Sequence, residues 1–155
     1  MPEELRLYQP ETPFSSITSN SEEAYRLTVM CGHEAPHWVL LTQSGNLLQV
    51  RGVLPHGMFT PAEEVEAVTV SDTQWAEFKA LLASESFWGD MAYEERFGCD
   101  GDTWILEGQR REDYRDISVW SPSDDDDTAG FRSIGVFLFC LLGIQNYDDL
   151  PRSSP

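Results

Sequence analysis

The chain has 155 residues, of which 41% are hydrophobic, and this is enough apolar material for one domain with a single core. Asp and Glu number 27 against 10 Lys and Arg, so the formal net charge is -17. A field this negative repels phosphate backbones and anionic lipid, which disfavours direct binding of nucleic acid or of a membrane surface. The same field would raise the rate at which this chain meets a basic protein. The alternative interpretation is that the acidic surface serves only to keep the protein soluble.

The ends of the chain predict little regular structure. Residues 1–23 contain three prolines and many polar residues, so we expect an irregular N-terminal arm on a single domain that spans 1–155. Residues 146–155 predict a loose tail. The start is polar and lacks the basic and apolar regions of a signal peptide, and three cysteines cannot all pair within the chain. Both features favour a reducing bacterial cytoplasm.

The first half of the chain predicts four β-strands. Apolar and polar residues alternate over 25–31, which is typical of a strand. The polar link 43–46 contains a glycine and predicts a hairpin between strands over 37–42 and 47–53. A Pro/Gly-rich loop separates this hairpin from a further strand over 64–70.

A helix is predicted over about 71–85. Ser71 and Gln74 match the capping-box pattern, in which each side chain bonds the backbone amide of the other residue. Apolar side chains then recur at helical spacing on one face: Trp75, Phe78, Leu81 and Leu82.

The second half predicts a further hairpin and a second helix. β-prone residues over 103–107 and 114–120 flank a polar link, and a Ser-Pro step ends the second strand. The helix over about 130–143 is apolar nearly all the way round, with Cys140 expected in the core. Such a helix is buried on most sides, or two copies of the chain form a homodimer through its 131–142 segment. Together these elements predict an α+β fold with a single antiparallel sheet packed against two main helices.

Cys31, His33 and His37 are the one concentration of soft metal ligands in the sequence. His33 and His37 have the H-E-x-x-H spacing of zinc proteases, but Pro36 opposes the helix which that motif needs. A structural zinc site takes four protein ligands and a catalytic site takes three. We therefore predict no metal, no cofactor and no catalytic residue, with a small Cys/His enzyme, with or without metal, as the alternative.

The last third of the chain resembles a group of small uncharacterised bacterial proteins. The resemblance covers 97–144: F-G-C-D-G-D-T-W-I-L-E-G, then Y-R-D-I-S-V-W-S-P, then an apolar helix ending C-L-L-G-I. In that group a G-x-D-G turn leads into a Trp-containing strand, a hairpin, a W-S-P stop and a leucine-rich helix. The resemblance implies these elements and no catalytic role.

The residues of this motif have two interpretations. In the first, they serve the fold: Asp100 and Gly101 form a turn, Trp104 and Trp120 are sheet core, and Glu107 pairs with Arg110, Arg111 or Arg115. In the second, a recognition surface is lined by Asp100, Asp102, Glu107 and Trp120.

Size, acidity and the lack of catalytic signatures are similar to those of bacterial immunity proteins, which block a cognate toxin by direct contact. Many such toxins are basic nucleases, so the likeness implies a non-enzymatic antitoxin, or toxin inhibitor, with a basic toxin domain as partner. A DNA-mimic inhibitor of a nucleic-acid-binding protein is a further alternative. The predicted contacts are carboxylates and aromatic anchors: Glu112, Asp113, Asp124, Asp125, Asp126, Asp127, Trp88, Tyr93, Asp100 and Asp102.

Overall fold

The computed structural model describes residues 14–18, 20–31, 36–54, 63–96, 98 and 100–145. One six-stranded antiparallel sheet packs against two helices of 13 residues each, so the predicted α+β fold is confirmed. Most of the predicted N-terminal arm and all of the predicted tail lie outside the described residues. Within the described ranges, no helix is both long enough and apolar enough to cross a membrane.

The elements follow the predicted order, after one short helical turn in the segment predicted to be irregular. They are α1 Phe14–Ile17, β1 Glu23–Cys31, β2 His37–Ser44, β3 Leu47–Leu54, β4 Glu63–Thr69, α2 Asp72–Ser84, β5 Asp102–Arg110, β6 Asp113–Trp120 and α3 Ala129–Leu141. The strands lie side by side in the order β4-β3-β2-β1-β5-β6, and each neighbouring pair is antiparallel. The two hairpins are therefore joined in one sheet through the pairing of β1 with β5.

The two faces of the sheet are covered differently, because alternate side chains of a strand point to opposite sides. On the face that we call the helix face, α2 and α3 pack over a large apolar core that includes Tyr25, Leu27, Val29, Trp104 and Leu106. On the opposite face, which we call the α1 face, a smaller cluster contains Phe14, Ala24, Leu40 and the partly buried Trp38.

Helix α2 begins at the predicted capping box. The Gln74 amide donates to Ser71 Oγ at 3.1 Å, and the Ser71 amide donates to Gln74 Oε1 at 3.0 Å. Phe78 is buried and Trp75 is partly buried against the core, so the predicted apolar stripe faces the sheet. The helix spans residues 72–84, within the predicted range.

Helix α3 is apolar around most of its circumference because it packs against both the sheet and α2. Its buried residues include Phe131, Ile134, Leu138 and Phe139, and the Phe137 ring lies 5.9 Å from the Phe78 ring of α2. Cys140 is exposed, so its prediction as core was wrong. Pairing with a second copy through 131–142 stays a prediction, for which the helix offers the half-buried Val136 and Phe137.

Gly135 lets α3 lie close to the sheet. A Cβ atom at this position would lie 2.5 Å from Cζ3 of Trp104 and 3.0 Å from Cδ2 of Leu27. Both distances are shorter than ordinary van der Waals contact, so no larger residue fits without movement of the indole. The Trp104 ring therefore occupies the space in which a side chain at position 135 would lie.

Candidate functional site

The predicted partner contacts lie at two ends of the sheet. Glu112 and Asp113 lie in and just after the β5–β6 turn, whereas Asp100 precedes β5, Asp102 begins it, and 124–127 follow β6. The nine residues of β5 span about 26 Å at roughly 3.3 Å per residue. The structure thus separates the predicted residues into two groups. We call them the hairpin end, at the β5–β6 turn, and the loop end, at the β6–α3 loop.

Hydrogen bonds hold the four consecutive aspartates of the loop end. The Thr128 backbone amide donates to Asp126 Oδ1 at 2.7 Å, and the Thr128 hydroxyl donates to the same carboxylate. The Ser123 amide in turn donates to Thr128 Oγ1 at 2.8 Å. The hydrogen bonds from Thr128 hold the pKa of Asp126 below its usual value, because they favour the ionised carboxylate. The run is exposed, and hydrogen bonds with Ser123 and Thr128 hold its backbone.

Two arginines from other elements hold the same loop, and sequence reasoning missed both. Arg96 Nη2 lies 2.9 Å from Asp127 Oδ1 and its Nη1 lies 3.3 Å from Asp126 Oδ2. Arg132, in the first turn of α3, lies 3.2 Å from Asp124 Oδ1. Asp127 and Asp126 raise the pKa of Arg96. Four carboxylates against two guanidinium groups leave this loop net negative.

The other predicted residues of the loop end adjoin this loop. The Tyr93 ring packs edge-on against Phe131 of α3 at 5.9 Å between ring centroids, and it is half-buried. Burial, and then the Glu85 carboxylate, raise the pKa of Tyr93. The Ser121 amide donates to the Asp102 carbonyl at 2.7 Å, which ties the start of β5 to the end of β6. Asp100 is exposed beside this link.

At the hairpin end, two half-buried tryptophans lie around the phenol of Tyr25. Trp88 Nε1 donates to the Tyr25 hydroxyl at 3.1 Å, and that hydroxyl donates to Glu23. The Trp75 ring lies 6.3 Å from the Tyr25 ring. Lys79 is paired with Glu23, and its ammonium lies 5.2 Å from the Trp75 centroid. Trp88, predicted as an exposed anchor, is thus partly engaged within the protein.

Arg110 connects this aromatic group to the predicted carboxylates. Its guanidinium lies 4.4 Å from the Trp88 ring centroid, and its Nε lies 3.7 Å from Asp113 Oδ2. In the β1–β5 pair, Arg110 is directly opposite Glu23. Sequence reasoning missed this arrangement because the only local signal was a β-strand, and the register of two strands far apart in the chain is not a local property.

On the α1 face, a buried ion pair joins β1 to β5. Arg26 Nη2 lies 2.7 Å from Glu107 Oε2, and its Nε donates to the same oxygen at 2.8 Å. The Tyr114 hydroxyl donates to Glu107 Oε1 at 3.0 Å, and the Arg26 guanidinium lies 5.4 Å from the Phe14 ring centroid. The expectation that Glu107 pairs with Arg110, Arg111 or Arg115 was therefore wrong. The strand beside β5 brings Arg26 directly opposite Glu107.

Tyr25 and Tyr114 are expected to resist ionisation. Burial and Glu23 raise the pKa of Tyr25, and burial and Glu107 raise the pKa of Tyr114. A raised pKa in the folded state means that this contribution to stability is complete below the unfolded value of about 10 and is lost as the pH rises above it. Because the chain has five tyrosines, tyrosinate absorbance should rise in two steps in a base titration. The later step, from Tyr25 and Tyr114, should appear together with loss of the near-ultraviolet circular dichroism. Full ionisation of both phenols near pH 10 with unchanged dichroism would contradict this prediction.

An open depression of about 640 Å³ lies beside β4 on the α1 face, and no local sequence pattern predicted it. Its lining is mostly polar: Ser21, Thr42, Gln49, Arg51, Glu64, Val65, Glu66 and Ala67. Arg51 and Gln49 come from β3, whereas the glutamates come from β4.

Cys31 and His37, from the alternative metal or nucleophile site, are buried at the ends of β1 and β2, and His33 lies outside the described residues. The His37 ring lies 6.0 Å from Phe139 of α3. Among the residues that the structure describes, no group of three or more His, Cys, Asp and Glu side chains could hold a metal ion. The Cys/His enzyme stays a prediction.

No protein-family model matches this chain, and a search of the curated proteins found no match either. Function is therefore inferred from the residues of this chain alone. In the described part of the chain, exposed carboxylates are grouped at the loop end, at the hairpin end, and at the edge of β4 beside the depression.

Proposed function

We propose that this protein binds a basic protein directly and acts as an immunity protein, or antitoxin, that neutralises a basic toxin. The observation that carries the proposal is the acidic loop over 124–127, where four consecutive carboxylates are exposed on a backbone that hydrogen bonds hold in place. The exposed fractions of the Asp124 and Asp127 side chains are 73% and 60%. These carboxylates remain accessible to cations of another molecule.

The conformation of the loop favours binding. A carboxylate that is already positioned loses less conformational entropy on contact than one on an unrestrained segment. Arg96 and Arg132 hold Asp126, Asp127 and Asp124, and two units of negative charge are left over. Asp125, which lies between them, is exposed. An external Lys or Arg would meet a preformed set of acceptors.

The charge of the whole chain supports the same partner class. A net charge of -17 raises the rate at which a basic protein reaches this surface, and it disfavours acidic competitors. A toxin that cleaves nucleic acid must attract phosphates, so its active site is positively charged. An acidic loop that covers such a site would exclude the nucleic acid and needs no catalytic step of its own.

The test is co-expression, in a bacterial host, with the protein encoded by the neighbouring gene. We expect that protein to be basic and to arrest growth when it is produced alone. Growth should return when this chain is produced with it. An acidic neighbour, or growth arrest that this chain does not relieve, would contradict the proposal.

A pair of matched variants locates the contact. Asp125→Lys should raise the Kd of the complex roughly ten-fold, because it reverses one charge in the acidic loop. Glu77→Lys makes the same change in net charge on the exposed side of α2 and should change the Kd less than about two-fold. Equal effects would show that total charge, and not the loop, attracts the partner.

A further inference from the structure

We infer that the outer edge of β4 accepts an extended basic segment of the partner as an added strand. The inference rests on the proposed function, since it names a second surface for the same basic partner and the conformation that the partner takes there. Addition of a strand to an open sheet edge gains affinity from main-chain hydrogen bonds and selectivity from alternate side chains.

The edge of β4 has the geometry for strand addition. β4 pairs with β3 alone in the described part of the chain, and six of its seven residues are exposed. A strand with one neighbour directs the amide and carbonyl groups of its other edge away from the sheet. Val65 is partly buried against the core, so its side chain anchors β4 on the helix face of the sheet.

The charges of β4 specify a basic occupant. The strand contains Glu63, Glu64 and Glu66 and no cationic residue. Within the described ranges, neither Glu64 nor Glu66 makes an ion pair or a hydrogen bond through its side chain. Like charges opposed across a strand pair are destabilising, so these glutamates disfavour pairing of β4 with a second copy of itself. Lys or Arg at the same positions of an added strand would be stabilising.

A β-bulge places two of these side chains beside the depression. Val50 pairs with Val68 and Gly52 with Val65, so Glu66 and Ala67 together oppose Arg51. A bulge of this kind bends the strand and re-aims its side chains. The depression of about 640 Å³ at this point is lined by Glu64 and Glu66 on one side and by Arg51 on the other. A long basic side chain of an added strand would enter it next to the two carboxylates.

The opposite edge strand, β6, is less suited to the same role. Its Arg115 donates to the backbone carbonyls of Gly89 and Met91, and its Tyr114 is bonded to Glu107. The adjoining turn and β6 together carry three cations against three carboxylates, whereas β4 carries three carboxylates and no cation: Arg110, Arg111 and Arg115 against Glu112, Asp113 and Asp116. The distribution of charge therefore favours a basic segment at β4 and not at β6.

The experiment uses a synthetic peptide of alternating Lys and Thr with the full-length protein. We expect the peptide to shift the backbone amide resonances of β4 and to slow their hydrogen exchange. Glu64→Gln with Glu66→Gln should raise the Kd of the peptide about five-fold or more, because two ion pairs are lost. The matched double variant, Glu94→Gln with Glu95→Gln, removes the same charge beside the loop end and should change the Kd less than about two-fold.

A second peptide separates strand pairing from charge. The same sequence with alternate backbone amides N-methylated keeps every positive charge and loses the donors along one edge. We expect it to bind about five-fold more weakly or worse, and to leave the exchange of β4 unprotected. Equal binding of the two peptides, or equal weakening by the two double variants, would overturn the inference.

Measurements with the toxin partner itself distinguish this inference from the proposed function. If co-expression relieves growth arrest and Glu64→Gln with Glu66→Gln leaves the partner's Kd unchanged, the inference is overturned while the proposed function stands. If the peptide pairs with β4 but the chain relieves no growth arrest, strand addition at β4 is supported and the proposed function is overturned.

Discussion

Arg26→Leu should lower the free energy of unfolding by about 3–5 kcal/mol, because it leaves a buried carboxylate without its partner. The exposed fractions of the Arg26 and Glu107 side chains are 4% and 9%, so water cannot replace the lost guanidinium. Glu107→Leu should also destabilise the protein, since it removes the carboxylate that bonds the buried guanidinium and the acceptor of the Tyr114 hydroxyl. Urea unfolding followed by circular dichroism measures both losses.

The double variant Arg26→Leu with Glu107→Leu should recover most of this loss. Two apolar side chains of similar volume need no partner, and such replacements of buried ion pairs are often neutral or stabilising. Asp113→Ala is the matched control on the same sheet. It removes the partner of Arg110 from an exposed pair at 3.7 Å and should cost less than about 1 kcal/mol. Additive losses in the double variant would contradict an energetic coupling between Arg26 and Glu107.

Trp104→Ala should destabilise the protein by about 3–5 kcal/mol, because it opens a cavity between β5 and α3. The side chain is 1% exposed. Its ring lies 6.3 Å from the Phe139 ring, and the Arg132 guanidinium lies 5.5 Å from its centroid. Thermal and urea unfolding should both report the loss. Trp120→Ala, at a half-buried position of β6, should cost clearly less.

Gly135→Leu tests the close packing of the Trp104 indole against Gly135. Alone, it should destabilise by about 1–3 kcal/mol, because its side chain would collide with the indole. In the double variant with Trp104→Ala, the leucine should occupy part of the cavity. The double variant should therefore lose less free energy of unfolding than the sum of the losses in the two single variants. A neutral effect of Gly135→Leu by itself would show that α3 shifts freely over the sheet.

Local signals predicted the elements of this fold well. The capping box at Ser71 needs only residues three positions apart, and both of its hydrogen bonds are present. The glycine of the 43–46 link adopts a φ of +59°, the conformation that favours glycine and that a tight hairpin turn requires. The hairpin and the apolar helix of the last third also form where the local residue pattern predicted them, as β5, β6 and α3.

Contacts between distant segments were not predicted. Arg26 was treated as one polar residue of an alternating strand, because nothing near it in the chain indicates that β1 lies beside β5. Cys140 was expected in the core because every neighbour in its helix is apolar. Cys140 is nevertheless exposed. In both cases the direction of a side chain depends on which element packs against it.

The predicted binding residues illustrate the same distinction. Composition was enough to select acids and aromatics as binding residues. Asp113 and Asp102 nevertheless lie at opposite ends of one hairpin, separated by the length of β5. The cations Arg96 and Arg132 were missed at the loop end, since they reach Asp126 and Asp124 from other elements. The edge of β4 was also missed, because a strand is an edge only by virtue of the sheet order.

The amino-acid sequence by itself determined the excess of negative charge, the number and kind of the main elements, and the start of α2. These depend on composition and on residues within a few positions of each other. Only the tertiary structure decided that Glu107 meets Arg26, that the acidic loop is held by Arg96 and Arg132, and that β4 is the end strand among those described. The physical reason is that strand order and register arise when distant apolar faces are buried together, and burial of those faces positions every charge on the surface.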